Sequence, residues 1–117
     1  MTSSVLVLGV DPHIVPGTNG AAILATLEAE LARFAEYGIH ASMTVFGPDE
    51  TAGPKVVAAL TERAWDVVLI GGGVRKSEQL LSLFEQIVNL IRIHAPGAAI
   101  AFNTTVDTIV EAARRHL

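Results

Sequence analysis

The chain has 117 residues, of which 50% are hydrophobic and 17% charged, and it carries a formal net charge of −4 and no cysteine. This length fits one domain, residues 1–117, with a core of its own. The acidic balance and the 5% aromatic content argue against a nucleic-acid partner. The lack of cysteine excludes disulfides, thiolate catalysis and cysteine zinc sites. Since no apolar run reaches membrane-spanning length and the N-terminal segment lacks a basic signal-peptide region, we expect a cytoplasmic protein with no membrane partner.

The first predicted βα unit begins with Val5–Val10, a continuous apolar run typical of a buried parallel strand. A helix over Gly20–Tyr37 follows, because apolar side chains recur there at helical spacing. Thr18 or Asn19 suits the N-cap of this helix, and Gly38 suits its C-terminal end.

The second predicted unit has a strand of a different kind. Over Ile39–Phe46, apolar residues alternate with His40, Ser42 and Thr44, which predicts a half-exposed strand at a sheet edge. A short helix over Pro54–Ala64 completes the unit, with its proline in the first turn.

The third and fourth predicted units complete the chain. Asp66–Ile70 is apolar on both faces, which predicts a central strand. A helix capped by Ser77 then runs to about His94. A strand over Ala98–Phe102 and a last helix capped at Thr104 follow.

The helix after the third strand has a wider apolar stripe than one sheet face requires. Leu81, Leu83, Leu90 and Ile93 widen it, either for a subunit contact or for deep burial beneath neighbouring elements. Together with the edge strand over Ile39–Phe46, this stripe predicts a homodimer.

Strands that alternate with helices predict right-handed crossovers, a parallel sheet and a three-layer α/β/α sandwich. Because the second strand is half polar while the first and third are apolar, we expect a four-stranded sheet in the order 2-1-3-4, of the flavodoxin-like or Rossmann-like type. Ligands bind such sheets at the carboxyl ends of the strands, where the strand order reverses. The loops predicted to meet there are 11–20 and 71–76, with Asn103 and Thr104 one strand further along.

The strongest candidate for a binding element follows the third strand. It opens with three consecutive glycines, Gly71, Gly72 and Gly73. Glycines let backbone N–H groups approach a ligand closely, while Arg75 offers a planar fork and Lys76 a point charge. This combination predicts a site for phosphate or carboxylate. The alternative is that the glycines only turn the chain tightly and the two cations are solvated.

The other candidates lie at the ends of the first and fourth strands. Asp11 and His13 are the candidate catalytic residues, as a general base, a metal-ligand pair or a carboxylate that orients an imidazole. The alternative is an Asx turn with an exposed histidine. Gly17 belongs to a possible second anion nest or precedes a plain N-cap. Asn103 suits a ligand amide or hydroxyl, and Thr104 suits either a ligand or its helix cap. No metal centre is predicted.

Known family motifs match these segments over only a few residues. The order of elements resembles that of flavodoxins and response regulators, with four βα units rather than five. Where a receiver domain has an acidic pair, only Asp11 is present, and Gly71 stands where its phosphoacceptor aspartate would be. Lys76 takes the third glycine position of the dinucleotide pattern G-x-G-x-x-G. Asp11-x-His13 resembles the opening of a cobalamin-binding motif and of metallophosphoesterases, without their later parts. The cofactor therefore stays unassigned.

The residues thus predict a small α/β protein that binds an anionic, phosphate- or carboxylate-bearing small molecule at the crevice between the first and third strands. The alternative is a non-catalytic regulatory or protein-interaction module that acts as a homo-oligomer.

Overall fold

Four parallel strands form the sheet of the structure, a computed structural model that describes residues 2–15 and 17–117. The strands are β1 (Ser4–Val10), β2 (His40–Phe46), β3 (Val67–Ile70) and β4 (Ala99–Phe102). They lie in the predicted order β2-β1-β3-β4. The central strand β1 pairs with two neighbours, so that Leu8 lies opposite Thr44 of β2 and Ile70 of β3.

Helices cover both faces of this sheet, and the described residues contain five α-helices. These are α1 (Gly20–Arg33), α2 (Ala52–Thr61), α3 (Gly72–Arg75), α4 (Leu81–His94) and α5 (Ile109–Arg114). Single 3-10 turns lie at Pro12–Ile14, Phe34–Tyr37, Glu78–Leu80 and Val106–Thr108. Side chains of α1 and α5 pack on one face of the sheet and those of α2 and α4 on the other, which makes the predicted three-layer α/β/α architecture.

The alternation of side chains along β1 explains why this strand is apolar throughout. Val5 and Val7 point towards α1 and α5, while Leu6 and Leu8 point towards α2 and α4, and all four are buried. The strand β2 lies at a sheet edge and is mostly only half-buried, as its alternating pattern predicts.

The segment after β3 differs from the prediction. Instead of one helix that begins at Ser77, the chain forms the single turn α3 directly after the strand, closed by the Lys76 N–H bond to Gly72 O (2.9 Å). Ser77 stands, as predicted, at the N-cap position of the 3-10 turn Glu78–Leu80, which leads directly into α4 at Leu81, but its side chain makes no capping hydrogen bond. Gly72 and Gly73 belong to this helical turn, whereas Gly71 precedes it with extended backbone angles.

The predicted N-cap of α1 is confirmed, whereas the cap before the last helix lies one residue later than predicted. Asn19 Oδ1 accepts from the Ala22 N–H (3.1 Å), as expected for the N-cap of α1, and Gly38 has a φ of +68° after the 3-10 turn that ends this segment. Before α5, the capping residue is Thr105, whose N–H donates to Thr108 Oγ1 (3.1 Å), rather than Thr104. Within the part of the chain that the structure describes, no helix is long and apolar enough to cross a membrane.

Candidate functional site

A cavity of about 450 Å³ lies at the carboxyl edge of the sheet, where the strand order reverses between β1 and β3. The loops after β1, β3 and β4 form its rim, and the N-terminal half of α1 forms one wall. The structure thus brings together the three segments that the predicted topology placed at one edge. Open parallel sheets bind their ligands at this position.

The walls of the cavity are mainly apolar. The apolar side chains that line it include Val7, Val15, Ile23, Leu27, Met43, Val45, Val106 and Ile109. Ile23 and Leu27 of α1 are only half-buried, whereas Phe34 beyond the other end of this helix is fully buried. The predicted apolar stripe of α1 therefore packs on the sheet at one end and faces the cavity at the other.

Gly9 shapes the floor of the cavity by lacking a side chain. It continues the face of β1 that carries Val5 and Val7, and it lines the cavity. A Cβ atom added there would meet no atom of the described residues within 4 Å. Our sequence analysis did not select Gly9 as a site residue, although a glycine inside an apolar strand pattern is a recognised signal of close approach by another group.

The three glycines after β3 both line the cavity and allow close packing. The Gly71 N–H donates to Leu8 O (2.9 Å) and so continues the β1–β3 ladder. An added Cβ at Gly73 would lie 2.8 Å from Val10 Cγ1, so a larger residue there would push α3 away from β1. This segment therefore forms a tight turn that also lines the cavity, and anion binding by it stays a prediction.

Arg75 and Lys76 connect the loop after β3 to the loop after β4. The Arg75 guanidinium donates to Asn103 O and lies over the Phe102 ring, 5.3 Å from its centroid. Lys76 Nζ donates to Thr104 O (2.8 Å). Burial lowers the pKa of Arg75, because desolvation disfavours the charged form, but the guanidinium stays cationic at neutral pH. Of the two cations, Lys76 lines the cavity.

Asn103 is the most deeply buried polar side chain among the predicted site residues, with 6% of its surface exposed. Its Nδ2 donates to Thr105 O (2.7 Å), which fixes the loop before α5. Within the described part of the chain, its Oδ1 and the neighbouring Arg75 Nε are buried without a hydrogen-bond partner. Such groups cost about 1–3 kcal/mol each when they stay unpaired, and both atoms are buried from solvent.

Asp11 and His13 lie in the loop after β1, outside the lining of the cavity. Asp11 Oδ1 accepts from the backbone N–H of His13 (2.9 Å), which forms the Asx-type turn that begins the 3-10 segment, and the histidine is exposed. Gly17 is exposed and has a φ of +74°, which favours glycine at that position. The preceding Pro16, part of the predicted loop, lies outside the described residues. Across residues 2–15 and 17–117, no group of three or more His, Asp or Glu side chains is placed to hold a metal ion.

No protein-family model matches this chain, and no curated protein sequence matches it significantly. The fold and the cavity together define a small doubly wound α/β protein with an apolar cavity at the switch point of its sheet.

Proposed function

We propose that this protein binds an anionic small molecule in the cavity between α1 and the carboxyl edge of the sheet. The observation that carries the proposal is that Lys76 alone among the described lining residues carries a charge. An ammonium group has three N–H donors, and within the described part of the chain one of them is used, on Thr104 O. The other two are available to a ligand oxygen.

The electrostatic surroundings of Lys76 support an anionic ligand. The protein carries a net charge of −4, yet no described carboxylate lies within ion-pair distance of Lys76 or Arg75. The ammonium group of Lys76 therefore lies beside an apolar cavity without a counterion among the described residues. Apolar walls reduce the screening of charge, so a bound anion interacts with this ammonium group more strongly than it would in bulk water.

The other candidate binding residues surround Lys76 at the cavity. The backbone of Gly71, Gly72 and Gly73 forms the wall beside the ammonium group, and Asn103 and Thr104 form the neighbouring rim. An acid–base role for the residues of the loop after β1 stays a prediction.

Thermal unfolding in the presence of inorganic phosphate, AMP or benzoate tests the proposal, with benzamide as the neutral counterpart of benzoate. We expect at least one anion to raise the melting temperature, because a ligand that binds the folded state stabilises it by mass action. Lys76→Gln should abolish this shift, whereas Lys55→Gln on α2, an exposed lysine outside the cavity, should preserve it. An equal shift in wild type and Lys76→Gln would refute the proposed site.

A protein-interaction module that acts as a homodimer is the second candidate function, and exposed apolar side chains favour it. Leu81 of α4 is 62% exposed and Phe102 of the edge strand β4 is 42% exposed. Phe102 also packs edge-to-face against Phe84, one helical turn from Leu81. We propose a second copy of this chain as the partner and the cytoplasm as its location. Light scattering should show a dimer that Leu81→Ser dissociates, whereas Tyr37→Ser, which changes an exposed side chain on the opposite face of the sheet, should leave it intact.

A further inference from the structure

We infer that the ligand of the cavity is an apolar monocarboxylate, a ring or branched hydrocarbon with one carboxylate group, rather than a nucleotide or sugar phosphate. This inference rests on the proposed anion site and names the class of molecule that the site would take. Three properties of the cavity lead to it: the charge it can neutralise, the polar groups it can pair and the space over Gly9.

The charge available in the cavity matches a monoanion. Lys76 is the single charged residue among the described lining residues, while the guanidinium of Arg75 is held on Asn103 O and over the Phe102 ring. A phosphate monoester carries about −1.5 to −2 charges at neutral pH, so one ammonium group would leave part of that charge uncompensated. A carboxylate carries one charge, which one ammonium group neutralises.

The threonine hydroxyls on the rim are already engaged within the protein, and Asn103 Oδ1 is buried from solvent. The hydroxyl of Thr18 donates to a backbone carbonyl of its own loop (2.8 Å), and that of Thr105 donates to Asp107 Oδ1 (2.5 Å). The hydroxyls of Thr104 and Thr108 lie 3.3 Å apart and pair with each other. The several hydroxyl groups of a ribose or hexose would therefore lose their hydrogen bonds to water without equivalent partners, which is unfavourable.

The shape of the cavity provides space for a compact hydrocarbon body. Its volume of about 450 Å³ falls within the range of small-molecule pockets, about 300–1,000 Å³. The floor is open over Gly9, and Met43 and Val45 of β2 continue it. On the opposite side, Ile23 and Leu27 of α1 present half-buried apolar surface. A ligand body between these surfaces would remove apolar area of both from water, which is the main source of affinity for such a molecule.

Calorimetric titration with cyclohexanecarboxylate, its neutral amide and AMP tests the inference. We expect wild type to bind cyclohexanecarboxylate and to bind neither the amide nor AMP measurably. Gly9→Val should weaken this binding by about tenfold or more, because branched methyl groups would occupy the space of the ligand body. Gly9→Ala should weaken it less, and Gly97→Ala, which also adds a Cβ into open space but lies away from the cavity, should leave it unchanged.

The outcomes separate the inference from the proposed function. Binding of AMP that depends on Lys76, without binding of cyclohexanecarboxylate, would overturn the inference and leave the anion site intact. Carboxylate binding that is the same in Gly9→Ala and Gly9→Val as in wild type would also overturn it, because the body would then lie elsewhere. Binding of none of these molecules, together with no stabilisation by any anion, would overturn both. Melting temperatures of the two Gly9 variants without ligand show whether each remains folded.

Discussion

The glycines around the cavity have two different roles: one leaves open space, and others allow close packing. Gly9 leaves space that no atom of residues 2–15 and 17–117 fills, whereas Gly20 and Gly73 allow neighbouring groups to approach closely. An added Cβ at Gly20 would lie 2.7 Å from His13 Cα and 2.9 Å from Pro12 O, both backbone atoms. The start of α1 is therefore pressed against the turn after β1, and this contact holds the rim of the cavity in place.

We predict that Gly20→Ala destabilises the protein, although alanine is the better helix former by about 1 kcal/mol. The clash involves backbone atoms that move only if the turn shifts, and overpacking of this kind typically costs about 1–3 kcal/mol. Gly97→Ala is the matched control: its Cβ would meet nothing within 4 Å, so its stability should be unchanged or higher by up to about 1 kcal/mol. Urea unfolding of both variants measures the difference. A Gly20→Ala variant more stable than wild type would show that the turn moves freely.

At the scale of helices, a single carboxylate joins α1 to α5. Glu30 of α1 is buried, with 3% of its surface exposed, and its Oε1 accepts from the N–H groups of Ile109 (2.9 Å) and Val110 (3.3 Å). Its Oε2 accepts from Arg33. The first turn of α5 is thus capped from another helix, with a negative charge at its positive end. Because Ile109 also lines the cavity, this contact fixes one of its walls.

We predict that Glu30→Ala destabilises the protein by about 2–4 kcal/mol, because it leaves two buried N–H groups without an acceptor. Glu30→Gln should cost less, since its amide oxygen still accepts from one of them. Glu28→Ala removes an exposed carboxylate from the same helix and should lie within about 0.5 kcal/mol of wild type. Chemical unfolding of the three variants gives this order, and equal effects of Glu30→Ala and Glu28→Ala would contradict the capping role.

A second contact between α1 and α5, the ion pair of Arg33 Nη1 with Glu111 Oε1 (3.2 Å), should make stability depend on pH. Hydrogen bonds from Arg33 lower the pKa of Glu111 below its ordinary value of 4.5. A carboxylate whose pKa is lower in the folded state stabilises that state above about pH 4.5 and loses this contribution as the pH falls through the folded-state pKa. The difference in unfolding free energy between wild type and Glu111→Gln should therefore be largest at neutral pH and decrease in acid.

Both groups of this ion pair are largely exposed, so the effect should be small and should weaken in about 1 M salt, where the Debye length is about 3 Å. Urea unfolding at several pH values, in low and in high salt, measures it. A difference between wild type and Glu111→Gln that does not change with pH would exclude the pair as its cause.

For the whole molecule, side-chain patterns were sufficient to predict the architecture. The half-polar strand β2 and the fully apolar strands β1 and β3 determine which strands lie inside the sheet, and the strand order follows from that contrast. The same order predicts which loops meet at the carboxyl edge. Both conclusions depend on how far each strand is buried, and the pattern of apolar and polar residues within a strand indicates its burial.

The chemistry of the site depends on contacts between distant residues, so the sequence could not provide it. Arg75 and Lys76 each bind a backbone carbonyl 28 residues away, and a backbone carbonyl has no residue-specific signature. Glu30 lies on α1 two residues after the exposed Glu28, and its buried role is determined by α5, about 80 residues further on. The cavity itself results from the position of one half of α1 relative to the sheet.

This unequal packing of α1 implies unequal local stability, and α4 provides the comparison because both helices have 14 residues. The second half of α1 is held by Glu30 and by the buried Phe34, whereas its first half faces the cavity with half-buried apolar side chains. In α4, Ile87 and Ile91 are buried near the middle and towards the end of the helix.

We predict that backbone amides in the first half of α1 exchange with deuterium faster than those in its second half and in the central part of α4, because fewer buried contacts oppose local opening there. Hydrogen exchange followed by mass spectrometry measures this for the unliganded protein. Addition of a carboxylate that binds in the cavity should slow exchange selectively over residues 20–27, since the ligand would fill the space beneath them. Uniform protection along α1 without ligand would instead mean that this half of the helix is as firmly anchored as the other.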